Sequence, residues 1–321
     1  MLSLKNIRDA EKSIGTLVRR TPLVYSQYLS QLCGGEIYLK LENQQITKSF
    51  KIRGALNRML HLTAEERKRG VITASAGNHA QAVAIAAENL GIRAKVVVPC
   101  TTPEVKIQEI EKHDLELVIF GNIYDEAERE AIKLAETEGL TYVSPYNDRY
   151  VIAGQGTIGL EVLEDLPTLD TIVVPVGGGG LISGIAIAVK SVKSTVEVIG
   201  VQSTASPVMY ESLKAGRIVD LEVEESIADG LHGGIESKSI TFNLVQKFVD
   251  RLLLVEENGI RKAIHLLAEK EGQIVEGAGA TPIALIMEKK HIFEGKRVVA
   301  IVSGGNIEKK LLRTILTSKS G

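Results

Sequence analysis

Four consecutive glycines, Gly177, Gly178, Gly179 and Gly180, separate an apolar run at 171–176 from a stretch with apolar residues at Leu181, Ile182, Ile185, Ala186 and Val189. The first run is β-rich and the second has helical spacing, so this region is confined to a strand, a tight turn and a helix. Glycine has no Cβ, so backbone N–H groups can converge on an anion there, and the dipole of the following helix adds partial positive charge. The run matches neither G-x-x-x-x-G-K-[ST] nor G-x-G-x-x-G, which removes the usual support for a nucleotide. Taken alone, it also fits a βα turn that binds nothing.

A second signal is the stretch from Thr47 to Ala55. Apolar residues at Ile52, Ala55, Leu56, Met59 and Leu60 predict a helix, with Ser49 as its N-cap. Lys51 then stands in the first turn, where the macrodipole disfavours a cation. Its amine pKa is expected to be lowered, and the neutral amine is the form that makes a Schiff base. The alternative is an ordinary exposed lysine. The third signal is Ser75-Ala76-Gly77-Asn78-His79, which follows a strand and opens a helix with Ala80, Val83, Ala84 and Ala87 inward. It reads as another anion-binding helix start, or as a simple N-cap turn. Ser303-Gly-Gly-Asn306 follows the apolar run 297–302 and is a generic strand-to-helix turn by itself.

β-Rich runs at 37–41, 70–73, 95–98, 115–119, 141–143, 171–176, 197–201, 252–255 and 297–302 alternate with helical stretches. That alternation predicts an α/β fold with parallel sheets. The chain's 321 residues suffice for one large or two medium domains. A net charge of −2 gives no electrostatic case for nucleic acid or a membrane surface. Cys33 and Cys100 have neither metal-site nor disulfide-framework spacing. No apolar run has spanning length, and the N-terminus lacks the apolar core of a signal peptide. A cytoplasmic protein acting on a small molecule is the expectation.

Seven stretches, in order, resemble one family. They are Ser49-Phe-Lys-Ile-Arg-Gly54, Ser75-Ala-Gly-Asn-His79, Ile152-Ala-Gly-Gln-Gly-Thr157, Gly177–Gly180, Ala228-Asp-Gly230, Glu276-Gly-Ala-Gly279 and Ser303-Gly-Gly-Asn306. The family is that of the threonine/serine dehydratases (threonine ammonia-lyases) and serine racemases. These are pyridoxal 5'-phosphate enzymes of fold type II, the tryptophan-synthase β-subunit fold. The resemblance implies two α/β domains, with 54–147 inserted as a small domain into a large one formed by 1–53 and 148–321. The active site is then expected in the cleft between them, and the assembly is expected to be a homodimer or homotetramer.

The same resemblance assigns roles. Lys51 holds the cofactor and serves as the base on the substrate Cα–H. Gly177 to Gly180 bind the cofactor phosphate. Asn78 faces the ring phenolic oxygen, Ser303 the pyridine nitrogen, and Phe50 the ring plane. The Ser75, Ala76, Gly77, Asn78 and His79 loop grips the substrate carboxylate through its amides. Glu276 corresponds to a family glutamate near a cation or the cofactor, or else is a simple cap or salt-bridge residue. With Ser303 at the pyridine nitrogen, the ring is a weaker electron sink than one paired with a carboxylate.

Two departures separate the relatives. Racemases of this branch carry a second serine where this chain has Ala76, and a methyl group cannot transfer a proton. They also bind a divalent ion through carboxylates where this chain has Gln202 and Val208, a poor magnesium site. No divalent metal of that kind is therefore expected and no metal-ligating residue is assigned, while a monovalent cation held by carbonyls is left open. Only 15 residues follow Asn306, so no regulatory domain is expected after it. The expected reaction is β-elimination, giving 2-oxobutanoate from L-threonine or pyruvate from L-serine. The alternatives are a serine racemase, a dehydratase for another 3-hydroxy amino acid such as hydroxyaspartate or phenylserine, and a non-catalytic relative.

Overall fold

The computed structural model describes residues 2–317. Among the described residues, ten strands form two sheets. They are β1 (Leu23–Tyr25), β2 (Glu36–Leu41), β3 (Val71–Ala74), β4 (Ala94–Val98), β5 (Glu116–Ile119), β6 (Thr141–Tyr142), β7 (Thr171–Pro175), β8 (Glu197–Ser203), β9 (Arg251–Val255) and β10 (Arg297–Val302). The six-stranded sheet has the order β1-β2-β10-β7-β8-β9, and the four-stranded sheet has the order β5-β4-β3-β6. Both ends of the chain build the first, and the middle builds the second.

Every pairing is parallel except β1 with β2. Each strand expected from the sequence forms within a residue or two of its expected bounds. β1 is an addition. It is three residues long, follows Pro22 and leaves Val24 and Tyr25 exposed at the sheet edge, so it lacks the apolar alternation that marks a strand.

The central strands β7 and β10 carry the apolar runs Ile172–Val174 and Val298–Val302 because both faces are covered. On β10, Val298, Ala300 and Val302 enter one core, while Val299 and Ile301 enter the core on the opposite face. On β3, Val71 faces one cluster and Ile72 and Ala74 the other. Successive strand side chains point to opposite faces, and here neither face meets water.

Helix Arg149–Asp165 runs through the middle of the molecule and is buried from Val151 to Leu163. Its glycines permit two close crossings. A Cβ on Gly154 would lie 2.4 Å from the Arg53 carbonyl oxygen, and one on Gly184 would lie 2.3 Å from the Ile152 carbonyl oxygen. The stretch 152–157 is thus where helices Lys51–Leu60 and Gly180–Val192 lean on a common partner. Helix Gly277–Glu288 carries Pro282 in its interior, which removes the donor for the Ala278 carbonyl. Thr281 Oγ1 donates to that carbonyl instead, at 3.1 Å.

Candidate active site

The segment before Lys51 is zipped to the segment after β10. Phe50 N–H donates to Ser303 O at 3.1 Å, and Gly305 N–H donates to Lys48 O at 2.8 Å. Lys48, at φ 55°, is the one non-glycine residue with positive φ among the described residues. Such a conformation costs about 1 kcal/mol, and the pairing with Gly305 holds it. Lys51 and Ser303 are thereby brought together from opposite ends of the chain.

Helix Lys51–Leu60 starts at Lys51 as expected. Its cap position is Phe50, and Ser49 contributes through Oγ, which accepts from Lys51 N–H at 3.4 Å. Lys51 Nζ donates to Pro145 O at 2.9 Å and lies 5.3 Å from the Phe50 ring centroid. Its amine is lowered to about 8. The direction agrees with the sequence reading, but the cause is different. Burial penalises the ammonium, and the Glu276 carboxylate opposes that effect.

The glycine turn forms where expected, and its helix starts at Gly180 rather than Leu181. Gly179 has φ +84°, a conformation favouring glycine. A Cβ on Gly178 would fall 2.5 to 2.6 Å from three ring atoms of Tyr146, and one on Gly180 would fall 2.9 Å from the Tyr146 carbonyl oxygen. Tyr146 Oη accepts from Glu236 N–H at 2.9 Å, which pins the ring against the turn. Thr241 Oγ1 donates to Gly178 O at 2.6 Å. Ser183 N–H, bonded to Gly179 O at 3.0 Å, is the first amide paired inside the helix. The preceding N–H groups of this buried helix start have no intrahelical partners.

A Gly178→Val substitution should therefore displace Tyr146 before any ligand binds. Overpacking of this kind costs about 1–3 kcal/mol, and cofactor retention on dialysis should fall about tenfold or more. Retention equal to wild type would contradict the assignment of the turn.

The 75–79 loop bridges β3 and helix Asn78–Leu90. Ser75 Oγ accepts from Gly77 N–H at 3.2 Å, so that amide is already engaged. Gln81 N–H is the first to bond back, to Gly77 O at 3.3 Å, leaving the amides of 78–80 without intrahelical partners. Ala76 packs partly on a cluster that includes Val96, Val98 and Ile110. The His79 side chain turns inward, with Nε2 at 2.9 Å from Val143 O and Nδ1 buried without a partner. Burial, with Lys51 adding to it, lowers its imidazole to about 3, so it is neutral and donates through Nε2.

Asn78 Nδ2 donates to Glu276 Oε1 at 2.7 Å. Glu276 occupies the cap position of helix Gly277–Glu288 but caps nothing, and among the described residues no cation lies within salt-bridge distance. Neither simple role offered by the sequence describes it. Burial raises its carboxyl to about 7, with Asp229 adding to the rise and Asn78, the Asn306 amide and Lys51 opposing it. Ser303 is buried, yet its Oγ has no partner among the described residues. Gln202 is committed: it accepts from Tyr210 N–H at 2.8 Å and donates to Ser206 O at 3.4 Å. Val208 is buried.

The sequence reading missed the anchor beneath Lys51. Arg53 is fully buried and forks onto Glu42 at 2.9 and 2.8 Å and onto Glu161 at 2.6 and 3.1 Å. Thr157 Oγ1 accepts from it at 3.1 Å, and Lys40 Nζ meets Glu161 at 2.6 Å. Gln155 Oε1 accepts the first-turn N–H of Gly54 at 3.1 Å. The Ile52-Arg53 and Gln155-Thr157 positions were visible as motif members, but nothing local to them signals an ion network.

A glycine cradle without Cβ atoms, a half-buried amine of lowered pKa and an uncommitted hydroxyl on a buried serine suit a phosphate, an aldehyde and a pyridine nitrogen respectively. Comparison with known proteins agrees. Residues 14–304 match the family model described as pyridoxal-phosphate dependent enzyme. The chain belongs to that family. It is 47% identical over 324 residues to an L-threonine ammonia-lyase of Thermotoga maritima, spanning 100% of this chain and 80% of the relative. The processed threonine deaminase isoform 2 of Solanum lycopersicum superposes with a TM-score of 0.92 at 37% identity, over 98% of this chain and 93% of that one. Maize serine racemase superposes with a TM-score of 0.92 at 33% identity, over 97% and 96%.

Proposed function

We propose that this protein is a pyridoxal-phosphate-dependent ammonia-lyase. It eliminates the hydroxyl of L-threonine to give 2-oxobutanoate and ammonia, and that of L-serine to give pyruvate and ammonia. The observation that carries the reading is the Lys51 amine, held on Pro145 O beside a loop whose candidate for the opposite face is the methyl group of Ala76. One side of the substrate Cα then meets a base and the other meets no proton donor, which favours elimination over inversion. The relatives named for threonine ammonia-lyase and threonine deaminase activity support the same reading.

In this scheme bound pyridoxal phosphate supplies the electron withdrawal that acidifies the substrate Cα–H. The remaining work belongs to the chain. The Lys51 amine binds the cofactor and takes the Cα proton. The amides of Gly177 to Gly180 bind the phosphate, and Phe50 packs on the ring. Asn78 faces the phenolic oxygen, and the Ser303 hydroxyl faces the pyridine nitrogen without protonating it. The Ser75-to-His79 loop binds the substrate carboxylate, with the amides of 78–80 available and Gly77 N–H engaged.

We further infer that 54–147 is a small domain inserted in a large one made of 1–53 and 148–321. The four-stranded sheet, drawn wholly from the inserted stretch, supports this. We also infer a cytoplasmic homodimer or homotetramer. Among the described residues no helix is long and apolar enough to cross a membrane.

Incubation with L-serine tests the reading. Pyruvate should exceed D-serine by about 10²-fold or more, the usual contribution of a positioned acid or base. Chiral chromatography and a coupled pyruvate assay measure the two. Equal rates would replace the lyase reading with the racemase one. Ala76→Ser should move the ratio towards D-serine, and no movement would show that this position does not face Cα.

A further inference from the structure

Stretches from four parts of the chain converge on Glu276, a carboxylate to which the scheme above gives no task. It is 6% exposed. Its Oε1 accepts from Asn78 Nδ2 at 2.7 Å. The other end of that amide is fixed as well, because Asn78 Oδ1 accepts from Asn306 Nδ2 at 2.7 Å. Asn306 Nδ2 in turn reaches Thr47 O at 3.0 Å and Gln81 Oε1 at 3.3 Å. The carboxylate lies so close to Gly304 that a Cβ there would fall 2.3 Å from Oε1, and a Cβ on Gly230 would lie 3.9 Å away.

A carboxylate withheld from water and from cations is costly to maintain. Packing alone does not explain it, since a neutral glutamine has the same shape and could accept the same bond. An ionised carboxylate differs in one respect: it can only accept. It therefore permits a single orientation of the Asn78 amide, with Nδ2 towards Glu276 and Oδ1 towards Asn306. One Asn78 N–H remains uncommitted in that orientation. The charged groups facing the carboxylate are Lys51, from helix Lys51–Leu60, and Asp229, from the 229–231 turn. Asp229 is itself paired with Lys106 at 3.0 Å. Asn78, Asn306, Gly230 and Gly304, the other neighbours, are neutral.

We propose that Glu276 and Asn306 form a clamp that holds Asn78 with its free N–H directed at the cofactor's phenolic oxygen. Glu276 is in this sense a positioning residue, and the proposal rests on the assignment of Asn78 to the phenolic oxygen. Charge-assisted hydrogen bonds are shorter and stronger than neutral ones, so the clamp fixes the amide's orientation, and with it the donor that sets the cofactor's proton distribution. Burial holds the Glu276 carboxyl near neutrality, and the clamp accordingly tightens as pH rises through about 7.

The test is the absorption spectrum of purified holoenzyme at pH 8. The ratio of the visible band of the lysine-bound cofactor to its near-ultraviolet band reports the proton shared with the phenolic oxygen. Glu276→Gln should lower that ratio about tenfold, the worth of one charge-assisted bond. Asn78→Ala should lower it as far, and Glu276→Asp should restore part of it by restoring the charge. A wild-type ratio in Glu276→Gln, with the ratio lowered in Asn78→Ala, would overturn the clamp and leave the Asn78 assignment standing. Wild-type ratios in both would overturn the Asn78 assignment and the clamp with it. If Glu276→Gln does not fold, Asn306→Ala opens the clamp from the other side, and a wild-type ratio there would overturn the proposal equally.

Discussion

Replacing Lys51 by alanine should abolish turnover and the visible absorption of the bound cofactor together. The amine is the point of cofactor attachment and the base in the proposed scheme, so both losses follow from one change. Loss of a positioned base alone costs about 10²–10⁴-fold in rate, and loss of covalent attachment adds to that. The structure sharpens the expectation. Burial lowers the Lys51 amine to about 8, so half of it is neutral there. Only the neutral amine attacks an aldehyde, and capture of added cofactor by apoprotein should accelerate as pH rises through about 8. Borohydride reduction and peptide mapping should label Lys51. Label on another lysine, or cofactor absorbance surviving in Lys51→Ala, would contradict the assignment.

Arg53→Leu should cost about 3–5 kcal/mol of stability, the range observed when one partner of a buried ion pair is removed. The reason lies in what is left behind. Glu42 is fully buried and would keep the Thr21 hydroxyl, which donates to it at 2.5 Å, but would have no cation. Glu161 would keep Lys40 at 2.6 Å and suffer less. A melting-temperature loss on the order of 10 °C corresponds to that cost for a chain of this size. Arg53→Lys should lose less, since it restores a charge but not the two-pronged geometry. A melting temperature for Arg53→Leu within about 2 °C of wild type would show that the network does not anchor the first turn of helix Lys51–Leu60.

The α/β alternation was legible because parallel strands covered on both faces are rich in apolar residues, and β10 with two covered faces is the clearest case. β1 was not legible, because three half-exposed residues beside a proline carry no pattern. The turn at Gly177–Gly180 could be read as a turn, but not the reason glycine is needed at 178. That reason is the Tyr146 ring, more than thirty residues away in sequence. For Lys51 the sequence supplied the direction of the pKa shift and assigned it to the helix dipole, whereas burial is the cause. Dipoles are local and readable from position, while burial is set by the tertiary structure. Arg53 stands in the sequence only as a member of the 49–54 motif, and nothing local marks its ion network with Glu42 and Glu161. Glu276 corresponds by resemblance to a glutamate near the cation or cofactor pocket, with a cap or salt-bridge role as the alternative, and its side chain accepts from Asn78 instead of capping its helix.

Product stoichiometry decides whether this site eliminates water from L-threonine. Purified protein loaded with pyridoxal phosphate should convert L-threonine to 2-oxobutanoate and ammonia in a one-to-one ratio, with no added nucleotide or metal, and Lys51→Ala should form neither. Absence of both products from wild-type protein that visibly holds the cofactor would contradict the account.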